Sequence, residues 1–139
     1  MLLSLTSKYA VQSLVTLERR SPELTSVRFI AEEAGIPLKY LGRLMPALGR
    51  AGLVEVVRGA RGGYRLAKPA SKISLWSIIE AAQGTETMKR CLLGLAGCSD
   101  SADFCAIHEQ WAPHRTAVFE LLQRTYLSDV KGSSLDFSA

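Results

Sequence analysis

The sequence lacks the features that mark membrane, secreted and catalytic proteins. No stretch of its 139 residues approaches the roughly 20 consecutive apolar residues that span a bilayer, and the segment 1–5 is too short for the apolar region of a secretory signal. There is no phosphate-binding loop, no dinucleotide fingerprint and no grouping of nucleophile, base and orienting residue. We therefore expect a cytoplasmic protein that has no membrane partner and is not an enzyme.

Acidic residues are scarce in the first half of the chain. Residues 1–69 contain eleven Lys and Arg against five Asp and Glu, a net charge of +6, whereas residues 70–139 contain six against eight, a net charge of −2. Clustered cations suit a phosphate backbone, because each neutralised phosphate releases condensed counterions. The charge favours a nucleic-acid partner for the first half, although taken alone it fits a solvated surface equally well.

Hydrophobic spacing predicts three helices in this basic half, in the order helix, helix, tight glycine turn, helix. Gly35 ends the second helix and separates it from a third that carries several cations on its polar face. This arrangement is typical of a helix-turn-helix. The predicted spans are 7–20, capped by Thr6; 27–34, capped by Thr25 or Ser26; and 38–51.

A glycine-rich hairpin is predicted directly after the third helix. The β-branched run 53–57 precedes a turn at 58–63 and a returning strand at 64–67. The glycines allow positive φ and close backbone approach, and three arginines project from a thin structure that can follow a DNA groove. The hairpin therefore has the character of a wing.

The second half is predicted to contain a fourth helix at 75–83, capped by Ser74 or Ser71, and a long amphipathic helix at about 111–127. The long helix has no obvious partner within the chain. We expect it to pack against the same helix of a second subunit, which makes a homodimer, with packing on its own domain as the alternative. Pro113 is expected in its first turn, because proline fits there.

The chain is long enough for one compact core with an appended element. The predicted fold is mainly α with a small β-hairpin wing: a winged helix-turn-helix followed by a long C-terminal dimerisation helix. Its predicted parts are a DNA-binding domain at 1–84, a cysteine-containing cluster-binding loop at 85–106, the dimerisation helix at 107–130 and a flexible tail at 131–139.

Only three cysteines occur, and all lie on the predicted loop. Cys91, Cys98 and Cys105 have six residues between neighbours, and His108 follows the last of them after two. An odd number leaves one thiol over in any intramolecular disulfide scheme. Three thiolates on a glycine-containing loop can converge on one soft-metal centre, and sulfur favours an iron–sulfur cluster, zinc or cuprous copper. The spacing by itself does not choose among these.

The order of elements and several short motifs resemble a known family. The motifs are Ala51-Gly52-Leu53-Val54, Arg58-Gly59, Gly62-Gly63-Tyr64 and Leu66-Ala67-Lys68-Pro69, with the cysteine trio behind them. With these motifs the chain resembles the IscR and NsrR family of regulators, the Rrf-two type, over about residues 1–130. The resemblance implies a winged-helix dimer whose long C-terminal helices cross and whose cluster, where present, tunes operator binding.

The resemblance also implies a ligand set. IscR-like proteins use three cysteines and one histidine on a 2Fe-2S cluster, which implies Cys91, Cys98, Cys105 and His108 here, with His114 or a solvent-derived ligand as the alternative fourth ligand. Each cysteine gap is one residue longer than in IscR. NsrR-like proteins hold a 4Fe-4S cluster with an acidic ligand near the partner's N-terminus, where this chain has Lys8. The 2Fe-2S cluster is therefore preferred and 4Fe-4S stays possible. The alternative is a cluster-free member that uses the cysteines as a thiol redox switch or zinc site.

The predicted partner is a double-stranded DNA operator. Arg43 on the third helix is expected to read bases in the major groove, where arginine makes bidentate contacts to guanine. Gly42 stands where IscR has an acidic residue, so the operator should differ, and Pro46 is expected to kink the helix. The predicted contact residues on the third helix are Lys39, Tyr40 and Arg43, with packing of Tyr40 as an alternative. Lys8, Thr25 and Ser26 are predicted to contact phosphates. The predicted contact residues in the wing are Arg58, Gly59, Arg61, Gly62 and Gly63.

Overall fold

The computed structural model describes residues 3–89, 91–94 and 106–130. The described residues form six α-helices and one two-stranded antiparallel sheet, so the predicted mainly α fold with a hairpin wing is confirmed. Two short 3₁₀ turns, Ala70–Lys72 and Glu86–Lys89, flank the fourth helix. The elements are α1 (Leu5–Arg20), α2 (Val27–Ala34), α3 (Leu38–Arg50), β1 (Val54–Val57), β2 (Gly63–Leu66), α4 (Leu75–Gln83), α5 (His108–Arg124) and α6 (Leu127–Val130).

Helix α1 lies at the centre of the hydrophobic core and contacts α2, α3 and α4. Its Ala10, Leu14 and Leu17 are buried at helical spacing. Helix α3 adds Leu41 and Leu48, which are fully buried on the face opposite its cations. Burial of each such leucine contributes about 1.5–3 kcal/mol to the stability of the fold. This core therefore fixes the orientation of α3 and of the cations on its exposed face.

The helix caps follow the prediction except at the first helix. Ser26 caps α2 and Ser74 caps α4, each through its side-chain oxygen. The cap of α1 is Ser4 rather than Thr6, since the Ser4 Oγ accepts the Ser7 N–H at 3.2 Å and the helix begins at Leu5. Thr6 therefore lies in the first turn, where its hydroxyl is available to a neighbouring helix.

The hairpin is seated on the helix-turn-helix by a short backbone pairing. Thr25, just before α2, exchanges two backbone hydrogen bonds of 2.8 Å with Tyr64 of β2. Gly63 lies against this pairing, and a Cβ there would lie 2.7 Å from the Thr25 carbonyl oxygen. Glycine at this position thus lets the wing approach the start of α2 closely.

Helix α5 begins earlier than predicted. It starts at His108, so Pro113 is its sixth residue and not part of its first turn. Proline has no N–H, so the Glu109 carbonyl loses its usual helical donor. At the other end, the Thr125 carbonyl accepts the Leu75 N–H at 2.8 Å and ends the helix. The predicted kink of α3 at Pro46 stays a prediction; α3 contains this proline in its interior.

The expectation that the long helix has no partner within the chain is wrong. Trp76 of α4 packs edge-on against Phe119 of α5, with ring centroids 4.5 Å apart. Ile79 and Leu122 are buried together beside them. The opposite side of α5 stays open, since Leu121 is 63% exposed. None of the helices in the described part of the chain is long and apolar enough to cross a membrane.

Candidate nucleic-acid interface and cysteine site

The predicted DNA-reading residues lie together on the exposed N-terminal half of α3. Lys39 and Arg43 are exposed, and Tyr40 is 40% exposed. Tyr40 also packs: its ring meets Tyr9 of α1 edge-on at 5.2 Å between centroids, and its hydroxyl lies 3.3 Å from Thr6 Oγ1. The tyrosine is thus held by α1 while part of its ring still faces outward.

An open cleft of about 550 Å³ borders this half of α3. Lys39, Tyr40 and Arg43 line it on one side, and Thr6 and Ala82 bring in the start of α1 and the end of α4. Among the described lining residues there are two cations and no carboxylate. The cleft is therefore suited to an anionic ligand such as a phosphate backbone.

The residues predicted to contact phosphate are placed differently from one another. Ser26 is exposed, and its hydroxyl accepts the Phe29 N–H at 3.1 Å as the cap of α2. Lys8 is partly exposed on α1. Thr25 is only 2% exposed and lies beneath the wing, so its side chain is not placed to touch a phosphate. The Thr25 backbone instead pairs with Tyr64 and seats the wing on the start of α2.

The tip of the wing exposes its cations and folds around its glycines. Arg58, Gly59 and Arg61 are exposed between β1 and β2. Gly59 has a φ of 115°, and its carbonyl accepts the Gly62 N–H at 3.0 Å, which closes the turn. A Cβ on Gly62 would overlap the carbonyl oxygen of Val57. Gly62 therefore shapes the turn that presents the two arginines.

The third wing arginine is engaged in an ion pair. Arg65 donates from Nε and Nη2 to the Glu55 carboxylate at 2.9 and 3.2 Å, across the β1–β2 register. This hydrogen bond and the charge of Arg65 hold the pKa of Glu55 below its usual value, and Glu55 in turn raises the pKa of Arg65. The pair is therefore intact at neutral pH and is lost as the pH falls through the lowered pKa. Arg58 and Arg61 are better placed than Arg65 to meet phosphate.

The structure places two of the four predicted cluster ligands. Cys91 is 8% exposed, and its carbonyl accepts the Gly94 N–H at 2.9 Å in a turn where Gly94 has a φ of 70°. His108 is the first residue of α5 and is partly exposed. The predicted ligands Cys98 and Cys105, like the predicted tail 131–139, lie outside the described residues.

A hydrogen bond ties the cysteine segment to α5. The Arg115 Nη1 donates to the carbonyl oxygen of Lys89 at 3.2 Å, two residues before Cys91. Arg115 lies seven residues after His108, which is about two helical turns and places both on one face of α5. That face is therefore turned toward the segment that carries Cys91.

The same face of α5 carries an unusual buried donor. The indole Nε1 of Trp111 is buried, and among the residues that the structure describes it has no hydrogen-bond acceptor. Cys91 and His108 are of the residue types that ligate iron in iron–sulfur proteins, and the described residues contain no group of three such side chains placed together. The chemistry of these two residue types is compatible with an iron–sulfur cluster, and the other two predicted ligands lie outside the described residues.

Sequence reasoning missed the residue that joins α4 to α1. The Gln83 Oε1, at the end of α4, accepts the Ser4 N–H at 2.8 Å and the Ser7 hydroxyl at 2.5 Å. The bonds span 79 and 76 residues along the chain. No local motif predicts such a contact, because a glutamine before a helix-ending glycine ordinarily faces solvent.

The basic α3 surface, the cleft beside it and the hairpin seated on the α2 start define a winged helix-turn-helix transcriptional regulator. Residues 3–132 match the Rrf2 family, described as iron-dependent transcriptional regulators. The chain belongs to this family.

Known relatives agree with this membership. The chain is 37% identical over 134 residues to the HTH-type transcriptional regulator IscR of Cereibacter sphaeroides, covering 94% of this chain and 86% of that protein. Two solved structures are also similar. CymR, the global cysteine regulator of B. subtilis, matches with a TM-score of 0.77 and 29% identity, covering 92% of this chain and 94% of CymR. The structure of T. potens IscR matches with a TM-score of 0.73 and 30% identity, covering 92% of this chain and 84% of that protein.

Proposed function

We propose that this regulator is a cytoplasmic, homodimeric repressor whose operator binding is modulated by an iron–sulfur cluster that senses iron, redox or nitric oxide status. The observation that carries the proposal is the attachment of the buried Cys91 segment to α5 by the Arg115 hydrogen bond to Lys89. Helix α5 packs on α4, which reaches the DNA-facing cleft at Ala82. A metal centre at the cysteines therefore lies at one end of a continuous set of contacts and the DNA surface at the other.

Four residues would hold the cluster: Cys91, Cys98, Cys105 and His108. When bound, the cluster supplies an iron centre that responds to electrons, oxidants and nitric oxide. The chain itself keeps Cys91 away from bulk water and fixes the backbone before it through Arg115. A 2Fe-2S cluster suits three thiolates and one imidazole, and 4Fe-4S remains the second choice.

Coupling between the two sites is proposed to run through α4. Gln83 at its end holds Ser4 and Ser7 of the α1 start, and Thr6 in that turn meets Tyr40 of α3. A change in the cysteine segment that shifts α4 would therefore move the start of α1 and, with it, the exposed Tyr40. Two states of this contact set that differ in DNA affinity would give the allosteric coupling.

The homodimer is proposed from the open side of α5. Leu121 on that side is 63% exposed, and large exposed apolar side chains on a long helix suit a second copy of the same helix. A two-fold dimer would present two reading heads to half-sites about 34 Å apart, one turn of B-DNA.

The DNA surface predicts distinct effects for two arginines. Arg43→Ala should weaken binding to an operator selected from random duplex DNA by about 10- to 100-fold, since a bidentate base contact contributes about 1–3 kcal/mol. Arg61→Ala should lower the slope of log affinity against log salt concentration by about 1, because it removes one phosphate contact. Titrations by fluorescence anisotropy at several salt concentrations measure both.

The matched control is the double variant Glu55→Gln with Arg65→Gln. It removes an ion pair from the same hairpin without changing the net charge, so affinity and salt slope should stay near the wild-type values. Wild-type affinity and slope in both single-arginine variants would remove α3 and the wing from the DNA interface.

The cluster is tested on protein purified without oxygen. We expect a brown product with visible charge-transfer absorption, iron and acid-labile sulfide in equal amounts, and a Mössbauer spectrum that assigns nuclearity. Cys98→Ala should abolish the visible spectrum and change operator affinity. A protein that stays colourless and iron-free after cluster reconstitution would contradict the sensor part of the proposal and leave the DNA-binding part standing.

The alternative function uses the cysteines as a thiol redox switch or zinc site. The likeness to CymR, the global cysteine regulator of B. subtilis, supports this alternative. Zinc gives no visible charge-transfer band, so metal analysis separates it from a cluster. A thiol switch instead predicts that oxidant changes operator affinity in metal-free protein.

A further inference from the structure

One carboxylate stands alone among the cations of the helix-turn-helix and the wing. Between Glu33 and Glu80 the sequence contains eight Lys and Arg and a single acid, Glu55. Glu55 lies on β1 and binds Arg65 of β2 through both carboxylate oxygens, at 2.9 and 3.2 Å. The one acid of this segment is therefore used to hold one of its cations.

The pair lies on the face of the hairpin that points away from the core. Side chains alternate between the two faces along a strand, and directly opposed cross-strand partners share a face. The neighbouring partners Val54 and Leu66 pack on the hydrophobic core, so Glu55 and Arg65, one position along, project from the opposite face. Their side chains are 49% and 42% exposed. A ligand that approaches the outer face of the wing can therefore reach both.

The carboxylate of Glu55 binds Arg65 in the way that a phosphate would. A guanidinium group binds a carboxylate or a phosphate through the same fork of two parallel N–H donors. Glu55 accepts from the Nε and Nη2 of that fork. A DNA phosphate that uses the same edge of Arg65 must therefore displace Glu55 and leave its carboxylate unpaired beside the negatively charged backbone.

The charge of Glu55 also lies within range of the wing tip. Glu55 is three residues before Arg58, so at most about 11 Å of extended chain separates the two Cα atoms. This is comparable with the Debye length of about 10 Å at 0.1 M ionic strength. An unpaired carboxylate at position 55 would therefore repel a phosphate bound at the tip, whereas in the pair its charge is balanced by Arg65.

We propose that Glu55 restrains the wing: by holding Arg65 in this phosphate-like pair, it withholds one cation from DNA and lowers the affinity of the regulator for duplex DNA of any sequence. The inference rests on the DNA surface proposed above. The wing meets the duplex with Arg58 and Arg61 at its tip, while Arg65 stays on Glu55. Glu55 is a positioning residue, because it acts on DNA through Arg65.

The test measures binding to a duplex that lacks the operator, by fluorescence anisotropy at several salt concentrations. Glu55→Gln releases Arg65, so binding at low salt should be about 3- to 10-fold tighter and the slope of log affinity against log salt concentration steeper by about 1, since one phosphate contact is gained. Arg65→Gln leaves the carboxylate unpaired and should weaken binding. The double variant should bind like the wild type.

Glu120→Gln is the matched control. Glu120 pairs with Arg124 at 3.9 Å one turn along α5, so the variant makes the same change in net charge outside the proposed DNA surface. Its affinity should stay within about twofold of the wild type, because screening limits the reach of a single exposed charge. Exposed ion pairs contribute little to folding, so the thermal unfolding midpoints of all variants should agree within about 3 °C.

The outcomes separate this inference from the function beneath it. Wild-type affinity and slope in E55Q, together with a lowered slope in R61A, would overturn the role of Glu55 and leave the DNA surface in place. Wild-type behaviour in R61A and R43A as well would contradict the DNA surface itself. An equal gain in E55Q and E120Q would assign the effect to net charge and overturn the inference. Should E55Q fail to fold, unchanged or tighter binding by R65Q overturns it.

Discussion

Gly62→Ala is expected to destabilise the protein by about 2–4 kcal/mol and to displace the wing. A Cβ at this position would overlap the Val57 carbonyl oxygen and lie 2.9 Å from the Val57 carbonyl carbon. Both atoms are backbone at the end of β1, so no side-chain rotation relieves the contact and the turn itself must shift. Thermal unfolding by circular dichroism should show a midpoint lower by on the order of 10 °C.

The functional consequence concerns Arg58 and Arg61, which this turn presents. Because the pairing of Thr25 with Tyr64 holds the base of the hairpin, we expect the tip to move while the helices keep their arrangement. Operator affinity and its salt slope should then fall at temperatures where circular dichroism still reports a folded protein. Loss of affinity without loss of slope would mean that the wing arginines do not meet phosphate.

Gly49→Ala is the matched control, since it makes the same chemical change inside α3. A Cβ there would meet Val54 at 3.9 Å, which is ordinary van der Waals contact. Alanine is favoured over glycine in a helix by about 1 kcal/mol, so this variant should be as stable as the wild type or more so. Equal destabilisation by both substitutions would contradict the close approach at Gly62.

The local elements could be predicted because their signals are local. The spacing of Leu14 and Leu17, the cap at Ser26 and the φ of 63° at Gly35 all follow from neighbouring residues. The cap of α1 could not be assigned in this way. Ser4 and Thr6 are both good capping residues, and what distinguishes them is Gln83, which binds the Ser4 N–H from the end of α4.

The surface proposed to meet DNA could be predicted in outline but not residue by residue. Its charge and its place on α3 follow from composition and periodicity, and Lys39 and Arg43 are indeed exposed. Thr25 shows the limit, because a capping-type residue before a helix is ordinarily exposed. Here the wing returns over it and pairs with it through Tyr64, a contact 39 residues away in the chain that no local pattern encodes.

The organisation of the second half was the hardest to anticipate. A long amphipathic stripe predicts burial but does not name the surface that buries it. Trp76 and Ile79 of α4 pack against part of the apolar stripe of α5, and Leu121 of α5 stays exposed. The helix therefore has an intramolecular partner and an open side, and only the open side remains for the proposed second subunit.

Gln83→Leu is expected to cost about 2–3 kcal/mol of unfolding free energy and to weaken operator binding. The substitution keeps a side chain of similar size but leaves two donors, the Ser4 N–H and the hydroxyl of Ser7, without their acceptor. Ser7 is 1% exposed, so water cannot replace the lost bond. An unsatisfied buried donor costs about 1–3 kcal/mol. Chemical denaturation of the apo protein measures this cost.

The matched control is Gln123→Leu, the same change on the exposed surface of α5, which should stay within about 0.5 kcal/mol of the wild type. The operator measurement then separates stability from coupling. Loosening the start of α1 should release the Thr6 contact to Tyr40. Operator affinity should therefore fall under conditions far from the unfolding midpoint, where the protein is still folded. The difference in operator affinity between apo and cluster-bound protein should shrink. A Q83L protein that is destabilised yet keeps the full apo-to-holo difference would show that the signal reaches α3 without this hydrogen-bonded junction.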